Sequence, residues 1–213
     1  MNTIKNRILS IFVFILSMTV SPTALFAFSC TTTSPNKQKG LDAFTPIPKN
    51  EISDSVSEQV FNFFKQLEGN WQGEGEAVVC ELHFGDLHIN QSQQTIKLEM
   101  ERVSDKEYRA VFKVYNVKNK LNWQYNFIIH RKNKFIDIMG EGNVEINRIS
   151  GKDIDFVTQS LAGNASGGVG SRPARLSFET VRNLRLSGGT LVFEKAEFFN
   201  GVIANYSRWE LIK

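Results

Sequence analysis

From Trp71 to Leu211 the chain alternates apolar and polar residues with a period of two, a pattern that fits an antiparallel sheet and little else. The cleanest stretch is Trp123, Tyr125, Phe127 and Ile129, with Asn122, Gln124, Asn126 and His130 on the other face. Ile96, Leu98 and Met100 alternate with Lys97, Glu99 and Glu101 in the same way. Strands are predicted over 71–83, 87–103, 107–117, 121–131, 134–140, 143–149, 153–160, 174–186, 190–199 and 202–212. Short turn codes separate them, namely Gly85-Asp86, Asn119-Lys120, Gly188-Gly189 and Asn200-Gly201. Asn-Gly between alternating runs is a strong hairpin signal, because both residues tolerate positive φ. Strands joined by tight turns make an up-and-down meander, and a large sheet removes its edges most simply by closing. The expected fold is therefore all-β, a closed antiparallel up-and-down, lipocalin-like barrel of about 8–10 strands with one N-terminal helix. A two-sheet sandwich is the alternative.

The helix is predicted at 54–67, ahead of the strands. Ser53 or Asp54 can cap it, and Val56, Val60, Phe63, Phe64 and Leu67 recur at helical spacing before Gly69 ends it. Residues 30–52 carry Pro35, Pro46 and Pro48 without periodicity and read as a flexible linker, so the folded domain is placed at 53–213. One long glycine-rich segment, Ala162 to Pro173, reads as a mobile flap at one end of the barrel.

The first residues point to export. Lys5 and Arg7 precede an apolar run from Ile8 to Val20, and Ala27 and Ser29 supply small residues at a cleavage position, so 1–29 reads as a signal peptide. The mature protein is then expected to be secreted, periplasmic or on the outer surface. Cys30 follows directly and has two readings. It stands where a bacterial lipoprotein carries its acylated cysteine, which would give the chain a lipid anchor and its only membrane contact. It can instead form a disulfide with Cys80, the one other cysteine.

Charge narrows the partners. The formal net charge of +3 falls to about +1 once Lys5 and Arg7 are removed, which is not the charge of a nucleic-acid binder. The roughly 184 residues that remain suit one domain with a sizeable core.

The segment Leu67-Glu68-Gly69-Asn70-Trp71-Gln72-Gly73-Glu74-Gly75-Glu76 joins the helix to the first strand. A Gly-x-Trp there, after a short helix and before a meander, resembles the calycin superfamily of lipocalins and fatty-acid-binding proteins. The longer pattern is similar to its nitrobindin-type branch. The resemblance implies that Trp71 plugs the closed end of a barrel and that an Arg on the last strand, here Arg208, lies against it. Gly69, Gly73, Gly75, Trp71 and Arg208 would then be structural. Nitrobindin-type proteins bind haem through a His near the C-terminus. This chain has no His after His130, so haem is not expected and no cofactor is predicted.

The side chains offer one candidate metal cluster. A two-residue turn at Gly85-Asp86 would set His83 and His88 directly opposite each other, with Glu81 or Asp86 as a third ligand for zinc or copper. An exposed hairpin tip with incidental histidines is the plain alternative. No catalytic set stands out, and the reading leans away from an enzyme. Phe112, Trp123, Tyr125, Phe127, Phe156 and Phe178 either fill the barrel or line a pocket for a small hydrophobic molecule. Three functions follow. One is an exported barrel that binds or carries an apolar ligand. The second is an envelope or host-interaction protein with a filled barrel that acts through protein contacts. The third and least favoured is a barrel enzyme working from the open end.

Overall fold

In the computed structural model the described residues are 29–48, 53–83, 86–131, 136–138, 143–165 and 174–213. The expected signal peptide, apart from Ser29, and most of the expected flap lie outside them. Two helices come first, α1 (Pro35–Gln38) and α2 (Asp54–Gln66). Ten strands follow: β1 (Gly69–His83), β2 (Asp86–Ser104), β3 (Glu107–Asn116), β4 (Leu121–His130), β5 (Ile136–Ile138), β6 (Asn143–Ser150), β7 (Asp153–Ala165), β8 (Ala174–Ser187), β9 (Thr190–Phe199) and β10 (Val202–Ile212). They fall where the period-two pattern places them. No helix among the described residues is long and apolar enough to cross a membrane.

All ten strands belong to one antiparallel sheet in the order β5-β4-β3-β2-β1-β10-β9-β8-β7-β6. The first strand pairs with the last, so the sheet is a meander whose two edges are β5 and β6. It curls into an open half-barrel around α2. Ser53 caps this helix through its hydroxyl, which accepts from the Val56 N–H at 3.3 Å. Val60, Phe61, Phe63 and Phe64 are buried on its inner face, and α2 packs against β3 and β4 on one flank and β6 and β7 on the other. Ring contacts across the interior tie opposite walls together. Phe112 of β3 meets Phe193 of β9 at 4.8 Å, and Phe127 of β4 meets Phe156 of β7 at 6.2 Å. Aromatic pairs of this kind add about 0.5–1.5 kcal/mol each beyond the area they bury.

Trp71 sits buried in this core and donates its indole N–H to the Leu67 carbonyl at 2.8 Å, locking the end of α2 to the start of β1. Arg208 does not lie against it. A bulge between Ile203 and Asn205 pairs Arg208 with Glu194 and turns it to the convex face, where it meets Glu194 at 3.5 Å and Glu210 at 2.9 Å. The cation over the Trp71 ring is Lys213, at 5.6 Å.

The segment expected to be a flexible linker is, through residue 48, a strap packed on the convex face. β1 pairs with β10 only from Asn205 onward. Residues 32–34 take up the free edge of the first β10 residues, through the Ser34 N–H to the Gly201 carbonyl and the Ile203 N–H to the Thr32 carbonyl. Cys30 is joined to Cys80 by a disulfide beside this point. Buried Glu179 accepts from the Ser34 hydroxyl at 2.7 Å and the Asn36 N–H at 3.2 Å. Gln159 accepts from the Ile47 N–H and donates to the carbonyls of Ala43 and Thr45. Ala43 and Ile47 are buried as a result.

Glu179→Ala removes both acceptors while leaving their donors buried, a loss expected to cost about 2–3 kcal/mol. Hydrogen exchange should show faster exchange confined to residues 32–48. Uniform acceleration across the sheet would contradict the assignment of Glu179 as the strap's anchor.

Candidate functional site at the open end

Burial along the inward face runs in one direction on several strands. On β4 it passes from buried Phe127 through half-buried Tyr125 to Trp123, which is 50% exposed. On β8 it passes from Leu184 and Arg182 through Thr180 to Phe178, 45% exposed, and on β9 from Phe193 and Lys195 through Glu197 to Phe199, 40% exposed. β2 and β10 follow the same course, from Leu98 to Ser92 and from Leu211 to Asn205. The interior is solid at the α2 end and opens into a mouth at the other, with Trp123, Phe178 and Phe199 at its rim. Phe178 and Phe199 stack there with centroids 5.1 Å apart.

The six aromatics expected to fill or line the barrel divide between these two regions. Phe112, Phe127 and Phe156 are fully buried and belong to the packed core. Trp123, Tyr125 and Phe178 reach the mouth.

Below the rim lies a buried polar band. Arg182 and Lys195 are 0% and 2% exposed, and they are directly paired across β8 and β9 on the inward face. Arg182 donates to the Thr158 hydroxyl at 2.8 Å and lies over the rings of Tyr125, Phe127 and Phe156 at 5.7–5.9 Å. Lys195 donates to the Tyr125 hydroxyl and, at 2.8 Å, to Glu197, and it sits 4.7 Å from the Tyr125 ring centre. Both cations thus converge on one ring. Two further buried atoms, Gln94 Oε1 and Trp209 Nε1, have no hydrogen-bond partner among the described residues. Their residues flank Gly75 in the paired register, so they share one stretch of floor.

These residues were not among the sequence candidates, although a signal was present. Arg182 interrupts the face Phe178, Thr180, Leu184, Leu186, while Lys195 shares its face with Glu197 beside Leu191, Phe193 and Phe199. A charge on an apolar face of a strand is the mark to look for.

The convex face carries a concavity of about 50 Å³, lined by Asp155, Val181, Asn183, Glu194, Ala196 and Tyr206 among others. Burial raises the Asp155 carboxyl above its usual range, and burial with the nearby Glu194 carboxylate raises the Tyr206 phenol. The Tyr206 hydroxyl donates to Glu194 at 3.3 Å. A raised folded-state carboxyl contributes stability below its unfolded pKa and loses it as pH rises through the folded one. Asp155→Asn is therefore expected to stabilise the protein at pH 7, with the gain vanishing below about pH 4. Thermal unfolding at both pH values checks this, and a loss at pH 7 would contradict it.

The paired-histidine arrangement is not what forms. His83 pairs with Asp86 and His88 with Glu81, so the two histidines are diagonal neighbours and not direct partners. Among the described residues no group of three or more His, Cys, Asp or Glu side chains comes together as a metal site.

Fold and mouth together define an all-β, barrel-like protein curled around one helix and open at one end. No family model matches the chain, and no curated protein matches it. Among solved structures it is weakly similar to an acyl-ACP thioesterase from Bacteroides thetaiotaomicron, at 9% identity over 66% of this chain and 76% of that one, with a TM-score of 0.18. A 12:0-ACP thioesterase from Umbellularia californica is 6% identical over 68% of this chain and 76% of that one, with a TM-score of 0.17. Scores this low carry no argument about fold or activity.

Proposed function

We propose that this chain is an exported, calycin-like β-barrel that binds or carries a small, largely apolar molecule at its open end. The observation that carries this reading is the one-way gradient of burial, which leaves Trp123, Phe178 and Phe199 exposed around a mouth while the opposite end is packed. Exposed aromatics with a few convergent polar groups beneath them have the composition of a small-molecule site. The disulfide between Cys30 and Cys80 supports export, since such bonds persist in oxidising compartments. It also engages the thiol that a lipid anchor would need.

The solid interior against α2 favours the second reading, in which a filled barrel acts through protein contacts. Native mass spectrometry of the freshly purified protein separates the two. The ligand reading expects a co-purifying small molecule or, after its removal, a mass shift on adding decanoate or 1-decanol. A chain that carries nothing and takes up neither would leave the contact reading. Intact mass of the exported protein adds a check: a chain beginning near Cys30 without an acyl group is expected.

A further inference from the structure

We infer that the open end docks on an anionic lipid surface through the tip of the β3–β4 hairpin, residues 117–121; this goes beyond the ligand reading and does not depend on it. The antiparallel meander puts the β1–β2, β3–β4, β7–β8 and β9–β10 connections at that end. Most of the exposed large apolar side chains gather there. Val117, Leu121 and Trp123 are 76%, 53% and 50% exposed on one hairpin, with Phe178, Phe199 and Val202 across the mouth. At the α2 end the large apolar residues that the described strands and turns expose are Val103 and Ile212 alone. The tip itself is ordered by hydrogen bonds. Asn116 Oδ1 accepts from the backbone N–H groups of Lys118 and Lys120 at 2.9 and 3.0 Å, and Asn119 closes the turn with a φ of 56°. Val117 and Leu121 are thereby held on either side of two lysines.

Charge selects the surface that covers this tip. From Tyr108 to His130, through β3, the turn and β4, the chain has no Asp or Glu. Lys37 adds a cation at the same end, where its side chain lies along the β9–β10 turn at Gly201. Carboxylates at this end, Glu81, Asp86 and Glu197, stand on other hairpins, and Glu197 is met by Lys195. The β2–β3 turn at the opposite end carries Glu101, Asp105 and Glu107 instead. Branched apolar residues set between lysines, with a Trp one step behind, suit a lipid interface. The apolar groups enter the acyl boundary, the indole sits at head-group level and the ammonium groups reach the phosphates. A protein partner fits less well, because protein interfaces are depleted in Lys.

Sedimentation of the disulfide-bonded chain with vesicles tests this, using phosphatidylcholine alone and equal parts phosphatidylcholine and phosphatidylglycerol. Binding to the mixed vesicles is expected to be at least about tenfold tighter, an advantage lost in the double variant Lys118→Gln, Lys120→Gln. Val117→Asp is expected to weaken binding to both. Docking should move tryptophan emission to the blue, and Trp123→Phe should abolish that shift because Trp71 and Trp209 are buried. Equal binding to both vesicles, binding to neither, or adsorption that leaves the emission unmoved would overturn the inference. So would a chain that ignores vesicles but self-associates until Val117→Asp restores the monomer, since a second copy would then cover the tip. Decanoate uptake without vesicle binding overturns this inference and leaves the ligand reading; vesicle binding without decanoate uptake does the reverse.

Discussion

Gly75→Ala is expected to destabilise the domain by about 3 kcal/mol, an unusually large effect for one methyl group. A Cβ built at Gly75 would lie 2.0 Å from the Arg208 carbonyl oxygen, 2.5 Å from Trp209 Cδ1 and 2.7 Å from Trp209 Cα. Two of the three are backbone of the neighbouring strand, and the indole is itself buried in the core, so nothing near can yield cheaply. The strands therefore have to separate, which breaks the β1–β10 seam joining the two halves of the meander. Gly73 is in the same position, with the Glu210 carbonyl oxygen 1.9 Å from its virtual Cβ. Gly151→Ala is the control. Nothing lies within 4 Å of its Cβ, and a change within about 0.5 kcal/mol is expected. Denaturant unfolding of both variants checks the pair. A Gly75→Ala protein as stable as the control would mean that β1 and β10 are not so closely apposed.

The second large effect concerns the disulfide. Cys30 and Cys80 are 50 residues apart, and closing a loop of that length removes enough entropy from the unfolded chain to stabilise the fold by about 4 kcal/mol. The double variant Cys30→Ser, Cys80→Ser is expected to lose most of that. Strap contacts through Glu179 and Gln159 remain, so the loss should come mainly from the unfolded state, with the sheet itself intact by circular dichroism. Reducing the wild-type protein should reproduce the shift in midpoint. A midpoint that reductant leaves unmoved would contradict a structural role for the bond.

Much of the fold was legible in the sequence because a half-buried sheet writes its pleat directly into residue order. Ten strands, the turns at Gly188-Gly189 and Asn200-Gly201 and the capped helix all follow from that period and from the glycine and asparagine positions. What escaped has identifiable causes. A two-residue turn at Asn200-Gly201 predicts that Trp209 faces Val192 and Arg208 faces Phe193. The bulge near Ala204 adds one residue, so Trp209 faces Phe193 and Arg208 faces Glu194. Because the side-chain period is two, that single insertion moves Trp209 into the core and Arg208 out of it. His83 and His88 take diagonal and not directly opposite positions for a similar reason, since a small change of register at a hairpin tip reassigns every partner. The strap was invisible because it has no period to read. Its order comes from Glu179 and Gln159, more than a hundred residues further along.

The site was half legible. Trp123, Tyr125 and Phe178 were found as aromatics that could meet a ligand, yet pattern alone did not distinguish them from Phe112, Phe127 and Phe156. That distinction depends on distance from α2, which fills one end of the curled sheet and leaves the other open. Arg182 was readable as a charge on a largely apolar face, whereas Lys195 shares its face with Glu197. Their pairing became evident only once β8 and β9 were placed in register.

In the proposed reading the end marked by Trp123 is an open ligand mouth while the other end is closed. Acrylamide quenching of tryptophan fluorescence tests it most directly, because Trp71 and Trp209 are buried and Trp123 is half exposed. One quenchable tryptophan is expected, lost in Trp123→Phe and shielded by saturating decanoate. Quenching of Trp123 that decanoate and 1-decanol both leave unchanged would contradict it.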